Sequence, residues 1–115
     1  MSFWRREVID FALDHETRRH IEEQMAWIAR EPANPRPYYH LAQLYRMCGR
    51  AEEARGLLLE AVRLDEAFAD AHVGLAEMYA IAGDYDSARR HADAGERHGN
   101  PRAAQLLARH PPRNP

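Results

Sequence analysis

The chain has 115 residues, a formal net charge of -2 and a single cysteine, Cys48. This length suits one domain, and one cysteine excludes an intrachain disulfide or a cluster of thiolate metal ligands. The near balance of 16 basic and 18 acidic residues argues against a nucleic-acid or membrane-surface binder. Twenty alanines and ten leucines, against three valines, four isoleucines and one threonine, predict an all-α fold.

Residues 1–34 form the first predicted segment, which begins with an apolar stretch. Such a stretch is too apolar for an exposed helix of a small monomer and is typical of an interface. It predicts either self-association into a homodimer or a cap on the unit that follows. The segment between residues 14 and 20 has no glycine and no apolar residue, so a helix pair and one long helix both stay open. The residues expected to self-associate are Phe3, Trp4, Val8 and Phe11.

Residues 35–68 are predicted to form two helices. In the first helix, Tyr38, Leu41, Ala42 and Tyr45 are spaced i, i+3, i+4 and i+7 and therefore share one face. Gly49 ends this helix, because glycine tolerates a positive φ. The apolar residues of the second helix are Ala54, Leu57, Leu58, Ala61, Val62 and Leu64.

Residues 69–102 repeat this plan. Each residue of this unit corresponds to a residue of the unit 35–68 at a constant offset, which relates Ala69 to Pro35 and is called the repeat period. Aligning the two units gives seven identities, against about two expected by chance at ordinary composition. Small residues in the second helix of this unit allow a neighbouring helix to approach closely. The identical pairs are Leu41 and Leu75, Ala42 and Ala76, Tyr45 and Tyr79, Gly49 and Gly83, Ala54 and Ala88, Arg55 and Arg89, and Arg63 and Arg97.

Residues 103–115 are predicted to end the chain with a capping helix and a disordered tail. Pro101 suits the first turn of a helix, which we expect to run to about Arg109. Ala103, Leu106 and Leu107 would cover the exposed end of the preceding unit, as a solenoid requires. The tail begins at His110 and contains three prolines.

The repeat resembles the tetratricopeptide repeat, whose pattern W-x2-L-G-x2-Y, A-x3-F, P has a period of about 34 residues. The first unit contains Tyr38-x2-Leu41-Ala42-x2-Tyr45 and Ala54-x3-Leu58, and the second contains His72-x2-Leu75-Ala76-x2-Tyr79 and Ala88-x3-Ala92. His72 and Ala92 depart from the large residues of the pattern. Counting back one repeat period from Tyr38 and Tyr45 reaches Trp4 and Phe11, so residues 1–34 are either a helical segment or a degenerate repeat. The resemblance implies an α-solenoid of antiparallel helix pairs with flanking helices.

The resemblance also implies a concave groove, lined by the first helix of each unit, in which a partner protein binds. Tyr39 and Arg46 are the strongest candidates there, because tyrosine and arginine are enriched at binding hot spots. Arg46 is expected to meet an acidic group of the partner, and Glu77 a basic one. The ten residues expected to line the groove are Tyr39, His40, Gln43, Arg46, Met47, Val73, Gly74, Glu77, Ala80 and Ile81.

No catalytic, cofactor-binding or metal-binding arrangement is predicted. His15 and His20 are separated by i, i+5, which places their side chains about 140° apart on a helix and not on one face. Cys48 has no adjacent base that would activate its thiol. The chain is therefore not expected to be an enzyme, to bind nucleic acid or to enter a membrane.

The sequence predicts a non-enzymatic scaffold or adaptor that binds a peptide or helix of a partner protein in the groove. The alternative is a structural self-assembly module that uses the apolar N-terminal helix. No apolar run is long enough for a signal peptide or a spanning helix, so we expect a cytoplasmic protein. All 16 basic residues are arginine, which favours a GC-rich bacterial source.

Overall fold

Six helices and no strand make up the part of the chain that the computed structural model describes, namely the backbone of residues 2–111 and the side chains of residues 14–111. The predicted all-α helical repeat is confirmed. Helices that follow one another in the chain pack together, and α4 also contacts α6. The helices are α1 (Ser2–Arg30), α2 (Pro35–Met47), α3 (Ala51–Leu64), α4 (Ala69–Ile81), α5 (Tyr85–Arg97) and α6 (Arg102–Arg109).

The helix boundaries themselves follow the repeat period. Helices α2 and α4 begin one period apart, at Pro35 and Ala69, and each has 13 residues. Helices α3 and α5 also begin one period apart, at Ala51 and Tyr85. The end of α1 at Arg30 lies one period before the end of α3. The C-terminal part of α1 therefore occupies the position of the second helix of a repeat unit.

Glycines in a left-handed conformation end the first helix of each unit, as the sequence predicted. Gly49 has φ of 76° and Gly83 has φ of 86°. Each turn is closed by a backbone hydrogen bond, from Arg50 N–H to the Tyr45 carbonyl at 2.8 Å and from Asp84 N–H to the Tyr79 carbonyl at 2.9 Å. The chain can therefore reverse within a short turn and begin the second helix.

Helix α1 has no such turn. The position one repeat period before Gly49 is His15, which disfavours a positive φ, and the helix continues through it for 29 residues in all. Residues 1–34 therefore do not form a helix pair. At 1.5 Å per residue, α1 is about 43 Å long and α2 about 20 Å, so α2 can cover only about half of α1.

The core has two parts that share α4. The first lies between α2, α3 and α4 and includes the fully buried Leu58 and Leu75. The second lies between α4, α5 and α6 and includes Val73 and Ala103. Because α4 packs on neighbours at both sides, it is the central helix of the array.

Helix α6 packs on α4 and α5 at the place where the sequence predicted a capping helix. Ala103 is buried, and Leu107 packs against the second part of the core. Leu106, which the sequence also assigned to the cap, is 43% exposed, because with Ala103 and Leu107 it lines an open crevice between α4 and α6. Residues 112–115 of the predicted tail lie outside the described residues.

His72, the main departure of the second unit from the repeat pattern, is buried in a polar contact between α4 and α5. Its Nε2 lies 2.8 Å from the Glu66 carbonyl oxygen, and its Nδ1 lies 3.1 Å from Nδ1 of His91. Because a carbonyl oxygen only accepts, His72 carries its proton on Nε2. Its Nδ1 then accepts a hydrogen bond from His91 Nδ1–H.

We expect the stability of the fold to fall as the pH decreases from about 6.5 to about 4. Burial, then His72, then Arg90 lower the pKa of His91 from 6.5 to about 4. The unfolded chain therefore binds a proton at His91 at a higher pH than the folded chain does, and stability present above pH 6.5 is lost as the pH falls. After allowance for solvent screening, the loss is about 2 kcal/mol.

Urea unfolding of the parent chain and of His91→Gln at pH 7.5 and at pH 5 measures the part of this loss that occurs above pH 5, about 1 kcal/mol. The substitution is expected to flatten the pH dependence between these values, whereas His110→Gln, at the exposed end of α6, is expected to leave it unchanged. An equal pH dependence in His91→Gln and the parent chain would contradict the assignment.

Candidate partner-binding groove

A polar row runs along α2 on the face predicted to line the groove. The Gln43 amide donates to the Tyr39 hydroxyl at 3.3 Å, and the Arg46 guanidinium lies 3.4 Å from Oε1 of Gln43. All three side chains are partly exposed. No carboxylate lies within ion-pair distance of Arg46 among the described residues. The row therefore presents an aromatic hydroxyl, an amide and an uncompensated cation.

Tyr39 is the residue of the row that contacts Phe68, the residue directly before α4. Its ring lies 5.3 Å from the ring of Phe68, measured between centroids. Burial raises the pKa of Tyr39, and the nearby carboxylates of Asp70 and Glu77 raise it further, although Arg102 opposes them. The hydroxyl therefore stays protonated at neutral pH and can donate to a partner.

Glu77, the groove residue of α4 that corresponds to Gln43, is already paired within the chain. The Arg102 guanidinium at the start of α6 donates to Oε1 of Glu77 at 2.8 Å. The expectation that Glu77 is a free anion awaiting a basic partner group is therefore wrong, because the capping helix supplies the cation. This ion pair joins the middle of α4 to α6.

Two of the ten predicted groove residues, Val73 and Gly74, are buried and do not line an exposed surface. Val73 is 1% exposed and packs in the core between α4, α5 and α6. A Cβ at Gly74 would lie 3.1 Å from Cδ1 of Leu58 and 3.9 Å from the Arg46 guanidinium. The prediction is wrong for these two residues, because Val73 packs against α5 and α6 and Gly74 packs against Leu58 of α3.

The C-terminal ends of α2 and α4 present exposed apolar side chains. Met47 is 77% exposed and Ile81 is 83% exposed. Beside Ile81, α4 and α6 enclose an open crevice of about 210 Å³. The residues that line this crevice are Ala76, Glu77, Ala80, Ile81, Ala103, Leu106 and Leu107.

His40 lies at the other edge of the row, towards α1. Its ring stacks on the indole of Trp27 with centroids 6.3 Å apart, and it meets Tyr39 edge-on at 5.5 Å. The structure therefore brings Tyr39, Gln43 and Arg46 together in one row, and it places His40 between α2 and α1. The side chains of Phe3, Trp4, Val8 and Phe11, predicted to self-associate, lie outside the described residues.

Phe68 and Arg102 contact the groove from outside the first helices and were not predicted from the sequence. Phe68 packs on Tyr39 and Arg102 pairs with Glu77. These residues are the last of the units 35–68 and 69–102, and each reaches back to the first helix of its own unit. The repeat period places them at the same position, which is the signal that could have identified them.

Two absences within the described residues bear on the site. No group of three or more histidine, cysteine, aspartate or glutamate side chains is arranged to hold a metal ion there. None of the described helices is both long and apolar enough to span a membrane.

Comparison with known proteins gives three matches of one kind. Residues 25–56 and residues 69–94 match two family models, each described as a tetratricopeptide repeat. The TPR repeat-containing thioredoxin TTL4 of Arabidopsis thaliana is 42% identical over 64 residues, which are 56% of this chain and 9% of that protein. The chain thus spans less than a tenth of the length of this relative.

Proposed function

Because the chain belongs to the tetratricopeptide repeat family, whose repeats generally mediate protein–protein interaction, we propose that it is a non-enzymatic scaffold for a partner protein. A peptide or helix of the partner binds along the row of Tyr39, Gln43 and Arg46 and the apolar crevice between α4 and α6. The observation that carries this proposal is a row with an uncompensated cation, Arg46, whose Tyr39 lies near Glu77 at the edge of an apolar crevice.

The partner segment has a chemistry that complements this surface. The repeat period aligns Arg46 with Ala80 and Met47 with Ile81, but the Arg46 guanidinium reaches back along α4, where a Cβ at Gly74 would lie 3.9 Å from it. A carboxylate towards Arg46 and an aliphatic or aromatic side chain in the crevice satisfy both features. Arg102 neutralises Glu77, so the partner needs no basic group at that point.

Reversing the charge at Arg46 tests the proposal. Arg46→Glu is expected to weaken partner binding about tenfold or more, because it places like charges together. The unfolding curve should change little, since a partly exposed cation without a carboxylate partner contributes little to stability.

The partner is first isolated by pull-down from the source organism, and its affinity is then measured by calorimetry. Arg89→Glu, an exposed position on the outer helix α5, is the matched control and is expected to bind like the parent chain. Equal affinities for Arg46→Glu and Arg89→Glu would show that the groove is not the binding site.

A further inference from the structure

Helix α1 joins, in one continuous helix, two segments that align with the first and the second helix of a repeat unit. Residues 17–30 stand one repeat period before α3, and residues 1–13 stand one period before α2. In the unit 35–68 the corresponding helices fold back on each other through Gly49. In α1 the helix is continuous, so residues 2–13 extend away from residues 17–30 of the same chain instead of folding back on them.

The C-terminal half of α1 consequently lacks one of its two neighbours. On α3, Ala54, Leu58 and Ala61 are fully buried, because α3 packs between α2 and α4. The corresponding residues of α1 are His20, Gln24 and Trp27, and all three remain partly exposed beside α2. On the adjoining edge, Met25 is 52% exposed.

We propose that α1 pairs in an antiparallel manner with α1 of a second copy of this chain, about a two-fold axis near residues 14 and 15. Residues 2–13 of each copy then pack on residues 17–30 of the other copy, as the first helix of a repeat unit packs on the second. Exchange between copies follows from the lost turn, because the same contact within one chain needs a reversal that the helix does not make.

The sequence of the N-terminal half suits this occupant. Trp4, Val8 and Phe11 are spaced i, i+4 and i+7, so they lie on one helix face. Such a face matches the apolar first-helix face of a repeat unit. Residues 2–13 of a continuous helix rise about 18 Å from Asp14 to Ser2, away from the half of α1 that packs beside α2.

Charges along α1 favour the same register. An antiparallel pairing centred on residues 14 and 15 places Arg6 opposite Glu23 and Asp10 opposite Arg19. Two of the four charged residues between positions 2 and 13 thus meet an opposite charge, whereas Arg5 faces Gln24 and Glu7 faces Glu22. These pairs add specificity more than stability.

Restoring the turn tests the exchange. Gly83 and Asp84 form the turn before α5, where Asp84 accepts from Ser87 N–H at 3.1 Å. The double substitution His15→Gly and Glu16→Asp copies these two residues at the corresponding positions of α1. The full chain is expected to have about twice the mass of 13.3 kDa by light scattering, and the variant is expected to have that of a single chain with unchanged helical circular dichroism.

His15→Ala is the matched control, because alanine keeps the helix straight, and it is expected to remain a dimer. A parent chain that has the mass of one copy from micromolar to millimolar concentration overturns the proposal. A turn variant that remains a dimer overturns it as well. Both outcomes are independent of the groove, which α2, α4 and α6 form.

Spin-label distances separate the antiparallel exchange from a parallel pairing of the N-terminal halves. In a Cys48→Ser background, labels are placed at Asp14→Cys or at Arg5→Cys. The exchange predicts about 15 Å or less between the two copies at position 14 and about 30 Å at position 5. Short distances at both positions would indicate a parallel pair and would overturn the proposal.

Discussion

Truncation of Leu58 to alanine is expected to lower the free energy of unfolding by about 3 kcal/mol. Leu58 is fully buried in the core between α2, α3 and α4. Its buried neighbours are mostly alanines, namely Ala42, Ala54, Ala61 and Ala71, which cannot rotate large side chains into the cavity. The backbone at Gly74 approaches Leu58 closely, so the cavity would open directly beside the central helix.

Leu59→Ala is the matched control for this prediction. It removes the same atoms from the next residue of the same helix, but Leu59 is 39% exposed. We expect its cost to be about 1 kcal/mol or less, because a partly exposed side chain buries less area and leaves no closed cavity. Urea unfolding of both variants measures the difference, and equal losses would show that Leu58 does not anchor the core.

The repeat period is the reason that so much of the fold could be predicted from the sequence. It places the positive-φ glycines at Gly49 and Gly83 and gives α2 and α4 the same length and phase. The period alone could not decide the conformation of α1. The register of residues 1–34 suggests a helix pair, but His15 stands at the turn position and the helix continues. The residue at the turn position thus decides whether the chain reverses, even where the residues on both sides keep the spacing of a helix pair.

The candidate groove was predicted less completely, for a physical reason. Residue spacing assigns the same exposed face to α2 and α4. In the structure α4 packs on α3, α5 and α6, whereas α2 packs on α1 and α3. The extra neighbour buries Val73 and pairs Glu77 with Arg102. Such contacts depend on where the repeat array ends, and the period of the sequence does not contain that information.

The largest effect on partner binding is expected from truncation of Tyr39. Its ring packs on Phe68, its hydroxyl accepts from Gln43, and it lies between the cation of Arg46 and the ion pair of Glu77 with Arg102. Aromatic residues in such a setting carry much of the binding energy at interfaces. Tyr39→Ala is expected to cost about 2 kcal/mol of binding, which is about 30-fold in affinity.

Tyr39→Phe distinguishes the contribution of the ring from that of the hydroxyl. Phenylalanine keeps the contact with Phe68 and removes only the group that meets Gln43, so we expect a loss of about 1 kcal/mol or less. Because the ring of Tyr39 also packs against the core between α2, α3 and α4, both variants are compared by calorimetry below the onset of unfolding, with circular dichroism as a check of the fold. If the alanine variant bound the partner as tightly as the phenylalanine variant, the ring would not contact the partner. The binding surface would then lie elsewhere, and the exposed apolar end of α4 at Ile81 would be the next position to truncate.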